Sequence, residues 1–263
     1  MPEGDTIHYA ARRIRPIVEE EVPHISTPHP RFGRDRWPER LAARRVRSVD
    51  PHGKHLFLRF DGASSSEVDL TIHSHLRMTG SWGTYRDGQR WRGGAHRAWL
   101  VLRTDRGEVV QFDGPVLELL TGSRTRFDRQ LSQLGPDILA PELDEETFLR
   151  RLREDDPTRP IGDALLDQRT IAGIGNLWKC EGCFAAAIDP WRPTGEISDE
   201  EALAIVRATR PGMQESATDG MQDLHRVVYK ATGRPCPRCG TPIRERGQGD
   251  GNRLTYWCPG CQR

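Results

Sequence analysis

The sequence predicts an α+β protein in three parts: an N-terminal antiparallel β-sandwich with flanking helices, a helical domain, and a short C-terminal β-hairpin bracketed by cysteines. Three observations carry this reading. Between residues 44 and 119, short β-branched or alternating apolar runs are punctuated by Gly, Asp and Pro. From residue 144 onward the apolar residues recur at helical spacing instead. "CPRC" and "CPGC" then bracket the end of the chain. A chain of 263 residues suits two ordinary domains or one large domain with an appendage, with ample length for a buried core.

Residues 6–20, "TIHYAARRIRPIVEE", carry apolar groups at helical spacing and predict an amphipathic helix ending near Pro23. Next come "RVRSVD", "HLFLRF", "EVDLTIHSHL", "RAWLVLRT" and "EVVQFDG", separated by "PHGK", "DGASSS", "DGQRWRGG" and "TDRGE". Five or more strands so spaced predict an antiparallel sandwich or barrel. "GASSSE" is the low-complexity stretch of this region. Helices are predicted from Asp144 ("DEETFLRRLRE"), Ile161 ("IGDALLDQ"), Asn176 ("NLWKCEGCFAAA") and Ser198 ("SDEEALAIVRAT"). In the last, Ser198 is followed three residues on by Glu201, the signature of a capping box.

Cysteines decide the C-terminal part. Cys236 and Cys239 form one CxxC pair and Cys258 and Cys261 another, with eighteen residues between the pairs. Two knuckles joined by a hairpin bring four thiolates to the tetrahedron that Zn²⁺ accepts, so one zinc ion is predicted. In so short a segment the metal replaces a hydrophobic core, and its first role is structural. Cys180 and Cys183 share the CxxC spacing but lie in a helical pattern with no second pair to complete a site; they are read as buried or idle thiols.

The formal net charge is +1, yet residues 226–263 hold eight basic residues against two acidic ones. That local patch is the footprint expected of a nucleic-acid contact, set against the alternative of a solvated face. No apolar run is long enough to span a bilayer, and the start lacks the charged and apolar regions of a secretory signal, so a cytoplasmic protein without membrane association is expected.

Three further stretches carry chemistry. In "MPEGDT", removal of Met1 would leave Pro2 with a free secondary amine beside the Glu3 carboxylate. In "AGIGN", Gly173 and Gly175 break an apolar pattern just before Asn176. A glycine turn entering a helix exposes backbone N–H groups at the positive end of the dipole, a site for phosphate; an ordinary turn with Asn176 as N-cap is the plainer alternative. "DPHGKHLFLRF" puts Lys54 in a turn between two strands.

With "MPEG", "GKHLF", "AGIGN" and "RLTYWCPGCQR" in this order, the chain resembles the formamidopyrimidine-DNA glycosylase and endonuclease VIII family over nearly its whole length, and most of all an actinobacterial endonuclease VIII. The resemblance implies a bifunctional glycosylase and abasic-site lyase of base-excision repair acting on damaged DNA as a monomer. It implies a catalytic sandwich domain at 2–135, a helix–two-turn–helix domain at 142–228 and a zinc finger at 229–263. It makes Pro2 the nucleophile, Glu3 the proton donor and acceptor, and Lys54 the third catalytic residue, which binds the phosphates around the extruded nucleotide together with the DNA-binding residues Asn176 and Arg253. "SHLRMTGSW" resembles the family's wedge loop, so Arg77, Met78 and Thr79 are candidates to fill the space of an extruded nucleotide, weighed against a turn with Met78 in the core. Thr6 stands where many relatives carry a second carboxylate, which leaves the role of a second acid open. "VVQFDGPVLELL" lacks the arginine–phenylalanine pair of the formamidopyrimidine branch, and the region between Asn176 and Cys236 is short for its purine-covering loop. Both departures favour oxidised pyrimidines. A non-enzymatic, zinc-dependent damaged-DNA-binding protein is the alternative.

Overall fold

The computed structural model describes residues 2–30, 35–62 and 68–263. Met1 and all of "GASSSE" after Gly62 lie outside the described residues. The chain divides into two compact units, one of Pro2 with Ile7–Ser132 and one of Glu3–Thr6 with Gln133–Arg263.

The first unit is the predicted sandwich. Helix α1 (Gly4–Val18) buries Ile7, Ala11, Ile14 and Val18, one stripe at the helical period. One sheet holds β2 (Val46–His52), β3 (His55–Phe60), β4 (Leu70–His75) and β8 (Val116–Thr121) in the order β2-β3-β4-β8. The other has the order β1-β6-β7-β5, from β1 (His24–Ser26), β6 (Ala98–Thr104), β7 (Gly107–Phe112) and β5 (Ser81–Tyr85). All these pairings are antiparallel. Leu56, Leu58, Phe60 and Ile72 of one sheet meet Leu100, Leu102 and Val109 of the other, with the α1 stripe and Trp37 of α2 (Trp37–Leu41) in the same core. The five strand runs in the sequence correspond to β2, β3, β4, β6 and β7. Strands β1, β5 and β8 were not separated from loops: β1 has three residues, β5 is interrupted by Gly83, and β8 follows β7 after a short turn. Two short helices, α3 (Gly122–Phe127) and α4 (Arg129–Ser132), end the unit.

The second unit is helical and closes with the hairpin. Helix α5 (Glu145–Arg153) starts at Asp144, whose carboxylate accepts the Thr147 N–H at 2.9 Å. Helix α6 is only Ile161–Ala164, shorter than its sequence pattern. The Asp167 carboxylate accepts the Arg169 N–H at 2.9 Å and competes with helix continuation there. Helix α7 (Asn176–Ala185) and helix α8 (Asp199–Asp219) follow, the latter opening on the predicted Ser198–Glu201 capping box. Phe148, Leu152, Ile161, Ile174, Leu177, Ile205, Val206 and Met213 form its core. Strands β9 (Arg244–Gln248) and β10 (Arg253–Trp257) make the hairpin, which shares a smaller cluster with α7 through Cys180, Phe184, Ile243 and Tyr256.

Candidate active site

The first backbone N–H groups of α7 have no partner within the helix, and its N-cap, Gly175, has no side chain to supply one. Glu3 fills that role from the other end of the chain. Its carboxylate, 1% exposed, accepts the N–H groups of Gly175 at 2.9 Å, Leu177 at 3.0 Å and Trp178 at 3.4 Å. An anion is therefore held at the positive end of the helix dipole. The approach depends on small residues: a Cβ on Gly175 would lie 2.2 Å from Glu3 Cδ, and one on Gly4 would lie 2.8 Å from Gly173 Cα. The helix N-terminus expected to receive phosphate is thus already occupied by Glu3. Asn176 is the first residue of the helix, not its cap.

Asp5, the other acid of "MPEGDT", makes structural contacts. Asp5 is fully buried and accepts the Ser216 hydroxyl at 2.5 Å and the Gln222 amide at 3.0 Å, all three residues belonging to the second unit. Pro2, half-buried, is the residue immediately before Glu3.

In the sandwich unit, Lys54 occupies the two-residue turn between β2 and β3. Gly53, φ 55°, takes the first central position, a place such hairpins give to glycine. Around it lies a histidine cluster that sequence reading missed as a unit. His55 Nδ1 is 2.8 Å from His73 Nε2, and His73 Nδ1 is 3.1 Å from the Glu118 carboxylate. Burial pushes the His55 pKa down to about 2, with the charges of His75, His73, His52 and Lys54 acting the same way. Burial, then Arg77 and Lys54, pushes His75 down to about 4. These two histidines are neutral near pH 7. The signal was present in "PHGKH" and "IHSH", but only the strand register shows that these residues face one another.

Arg77, Met78 and Thr79 form the exposed link between β4 and β5. Met78 is 68% exposed, which excludes the reading that placed it in the core. The link is closed by the Gly80 N–H donating to the Leu76 carbonyl at 2.9 Å and the Arg77 N–H donating to His75 Nδ1 at 3.1 Å.

Glu3, Asn176 and Arg253 all belong to the second unit. The Asn176 amide donates to the Leu254 carbonyl at 2.8 Å, so the first residue of α7 grips β10 directly beside Arg253. The four candidate cysteines have their sulfurs all within 4.8 Å of one another, with Cys236–Cys261 at 3.8 Å and Cys239–Cys258 at 3.5 Å. Thiolates about 2.3 Å from a tetrahedral zinc ion stand roughly 3.8 Å apart, so the residues fit the metal. The basic patch is partly structural. Arg238 donates to the Phe184 and Ala185 carbonyls at the end of α7, and the Arg246 guanidinium lies 3.7 Å from the centre of the Trp191 ring. Cys180 and Cys183 are fully buried; burial pushes their thiols up to about 11 and about 12, which leaves them protonated and inert.

Comparison with known proteins decides the family. The formamidopyrimidine-DNA glycosylase N-terminal domain matches residues 1–115, its H2TH domain residues 134–225, and the zinc finger found in FPG and IleRS residues 233–263. A probable endonuclease 8 2 of Streptomyces coelicolor is 41% identical over 272 residues, covering all of this chain and 94% of the relative. The chain belongs to the formamidopyrimidine-DNA glycosylase and endonuclease VIII family. The DNA-(apurinic or apyrimidinic site) lyase Nei2 of Mycolicibacterium smegmatis is 35% identical over 270 residues, covering 100% of this chain and 99% of that one. The fold agrees with a Lactococcus lactis Fpg solved with DNA containing an abasic site, at a TM-score of 0.80 and 23% identity over 99% of both chains. As a member of this family of glycosylases and lyases of base-excision repair, the chain is an enzyme, and its four hairpin cysteines hold one structural zinc.

Proposed function

We propose that the protein excises oxidised pyrimidines from DNA through a Schiff base on Pro2 and then cleaves the strand at both flanking phosphates. The observation that carries this reading is the Glu3 carboxylate, fixed on the N-terminus of α7 immediately after a residue whose amine is secondary once Met1 is removed. An α-amino group, with a pKa near 8, is neutral far more often at pH 7 than a lysine side chain. The Glu3 carboxylate takes the proton of the Pro2 ammonium. The freed lone pair attacks deoxyribose C1′, the glycosidic bond breaks with its electrons leaving on the base, and the departing base takes the proton still on the Pro2 nitrogen. Glu3 then delivers its proton to the ring oxygen as the sugar opens to an iminium. The iminium acidifies C2′; loss of that proton expels the 3′ phosphate, and a second elimination expels the 5′ phosphate.

Lys54 and Arg253 serve this chemistry as phosphate ligands, with Asn176 holding the Arg253 strand and supplying the third predicted contact. Arg77, Met78 and Thr79 fill the space left by the extruded nucleotide, and the 68% exposure of Met78 supports that use. Zinc keeps the hairpin folded and takes no part in the bond-making steps. No helix among the described residues is long and apolar enough to cross a membrane. We place the enzyme in the cytoplasm, as a monomer on the nucleoid, with functional domains at 2–135, 142–228 and 229–263.

Pyrimidine preference is favoured by the missing arginine–phenylalanine pair and by relatives named endonuclease 8. Single-turnover excision from duplexes bearing thymine glycol, 5-hydroxyuracil, dihydrouracil or 8-oxoguanine tests it. At least a tenfold preference for the pyrimidines is expected, about 1.4 kcal/mol in the barrier; equal or faster release of 8-oxoguanine overturns it. The Glu3 assignment has its own test. Gly175→Ala forces the Glu3 carboxylate away from α7, and cleavage of abasic DNA is expected to slow roughly 100-fold, as for other small misplacements of reacting groups. An unchanged rate contradicts it.

A further inference from the structure

We propose that Lys179 is a positioning residue that holds Arg253 ready for the DNA backbone by tying both strands of the zinc hairpin to helix α7. The inference rests on the reading of Arg253 as a phosphate ligand.

Lys179 is fully buried, unusual for a lysine. Its ammonium donates to the Thr255 hydroxyl oxygen at 2.5 Å and to Gln248 Oε1 at 3.2 Å. The Thr255 hydroxyl also lies 2.8 Å from Gln248 Oε1, and Gln248 spends its amide on the Pro190 carbonyl at 2.7 Å. The two residues that Lys179 grips bracket Arg253: Thr255 is two positions further along β10, and Gln248 is the residue paired with Arg253 across the hairpin. Between Gln248 and Arg253 the chain turns through Gly249–Asn252, a tip containing two glycines. Beyond the pairing of β9 with β10, the base of that tip is fixed by Lys179 on one side and by the Asn176–Leu254 bond on the other.

Fold stability alone is a poor account of this lysine. No carboxylate lies within ion-pairing distance of its ammonium among the described residues. Burial pushes its pKa down; the Cys180 and Cys183 thiols and Asp163 oppose this, while the Arg253 guanidinium adds to it. A buried, unpaired ammonium is costly, and methionine would fill the same volume without that desolvation. What methionine would not do is hold Thr255 and Gln248 in place beneath Arg253.

A double-mutant cycle tests the assignment. The probe is a duplex carrying a reduced abasic site, and Kd is measured across a salt series beside Tm and zinc content. Arg253→Ala is expected to weaken binding roughly tenfold and to reduce the slope of log K against log salt by about 0.9. Lys179→Met is expected to weaken binding to a similar extent, with zinc retained and Tm unchanged or higher. In the Arg253→Ala background, Lys179→Met should add nothing, because its effect passes through the arginine. Lys179→Gln, which keeps a donor, should recover part of the affinity and serves as the test if the methionine variant does not fold. Wild-type affinity in a folded Lys179 variant while Arg253→Ala is impaired overturns the inference alone. Additive losses with a lowered Tm overturn it in favour of a purely structural role. Normal binding by Arg253→Ala removes the phosphate-ligand reading, and the inference falls with it.

Discussion

Mixed with abasic DNA and borohydride, the chain beginning at Pro2 is expected to give a covalent protein–DNA adduct, and a chain with any residue still attached ahead of Pro2 is expected to give none. Amide resonance explains the difference: a peptide-bonded proline nitrogen has delocalised the lone pair that attacks C1′ in the proposed mechanism. Pro2→Gly falls between these limits. A glycine amine still has a lone pair, but as a primary amine it gives an iminium that can lose a proton to become a neutral imine, a weaker electron sink. Glycine also loosens the backbone where Glu3 must stay fixed. Base release and strand cleavage by Pro2→Gly are therefore expected to fall on the order of 100-fold or more. Affinity for a reduced abasic site should stay within a few-fold of wild type, because the proposed phosphate ligands are untouched. Mass spectrometry of the intact protein fixes the N-terminal residue in each sample. Wild-type cleavage by a chain shown to begin ahead of Pro2 would remove Pro2 as the nucleophile. Absence of an adduct from a chain shown to begin at Pro2 would favour the non-enzymatic DNA-binding reading, against the family's chemistry.

What the sequence made legible here was local. The α1 stripe, the Ser198–Glu201 capping box and the two CxxC pairs each depend on residues a few positions apart, and each has its predicted form. What it concealed depends on long-range closure. Glu3 and Gly175 are 172 positions apart, and nothing near either announces that a carboxylate will cap that helix. "AGIGN" therefore left an anion site and an ordinary turn both open, when its glycines are required by the close approach of Glu3 and Gly4. The buried contact of Asp5 with Ser216, 211 positions apart, is concealed in the same way. The histidine cluster requires the register of β3 against β4, which hydrophobic alternation suggests but does not number. Short strands were lost for a different reason. A three-residue strand such as β1 carries too few alternations to stand apart from a loop, and pairing with β6 alone defines it.

Removing zinc is expected to have the second large effect. Cys258 is fully buried, at the point where β10 ends and the second knuckle begins. Cys258→Ser leaves a three-thiolate site, and in segments this small the free energy of metal binding, about 10–16 kcal/mol for zinc-finger peptides, is largely the free energy of folding. The loss should spread along specific contacts. Without a folded hairpin, Asn176 loses the Leu254 carbonyl and Lys179 loses both of its partners, leaving polar groups that α7 had buried with nothing to bond. The apolar cluster shared by Cys180, Phe184, Ile243 and Tyr256 opens with it. The helical unit should therefore lose stability as well, whereas the sandwich keeps its own core of Leu56, Leu58, Phe60, Leu100 and Leu102. Thermal unfolding of Cys258→Ser, or of wild type stripped by a chelator, is accordingly expected to separate into two transitions, the helical one shifted to lower temperature. Affinity for abasic DNA should fall at least 100-fold, beyond what Arg253→Ala alone removes, because the strand that carries Arg253 is lost with its charge. Stoichiometric zinc in Cys258→Ser, or unchanged affinity after zinc removal, would show that the hairpin holds its shape without the metal.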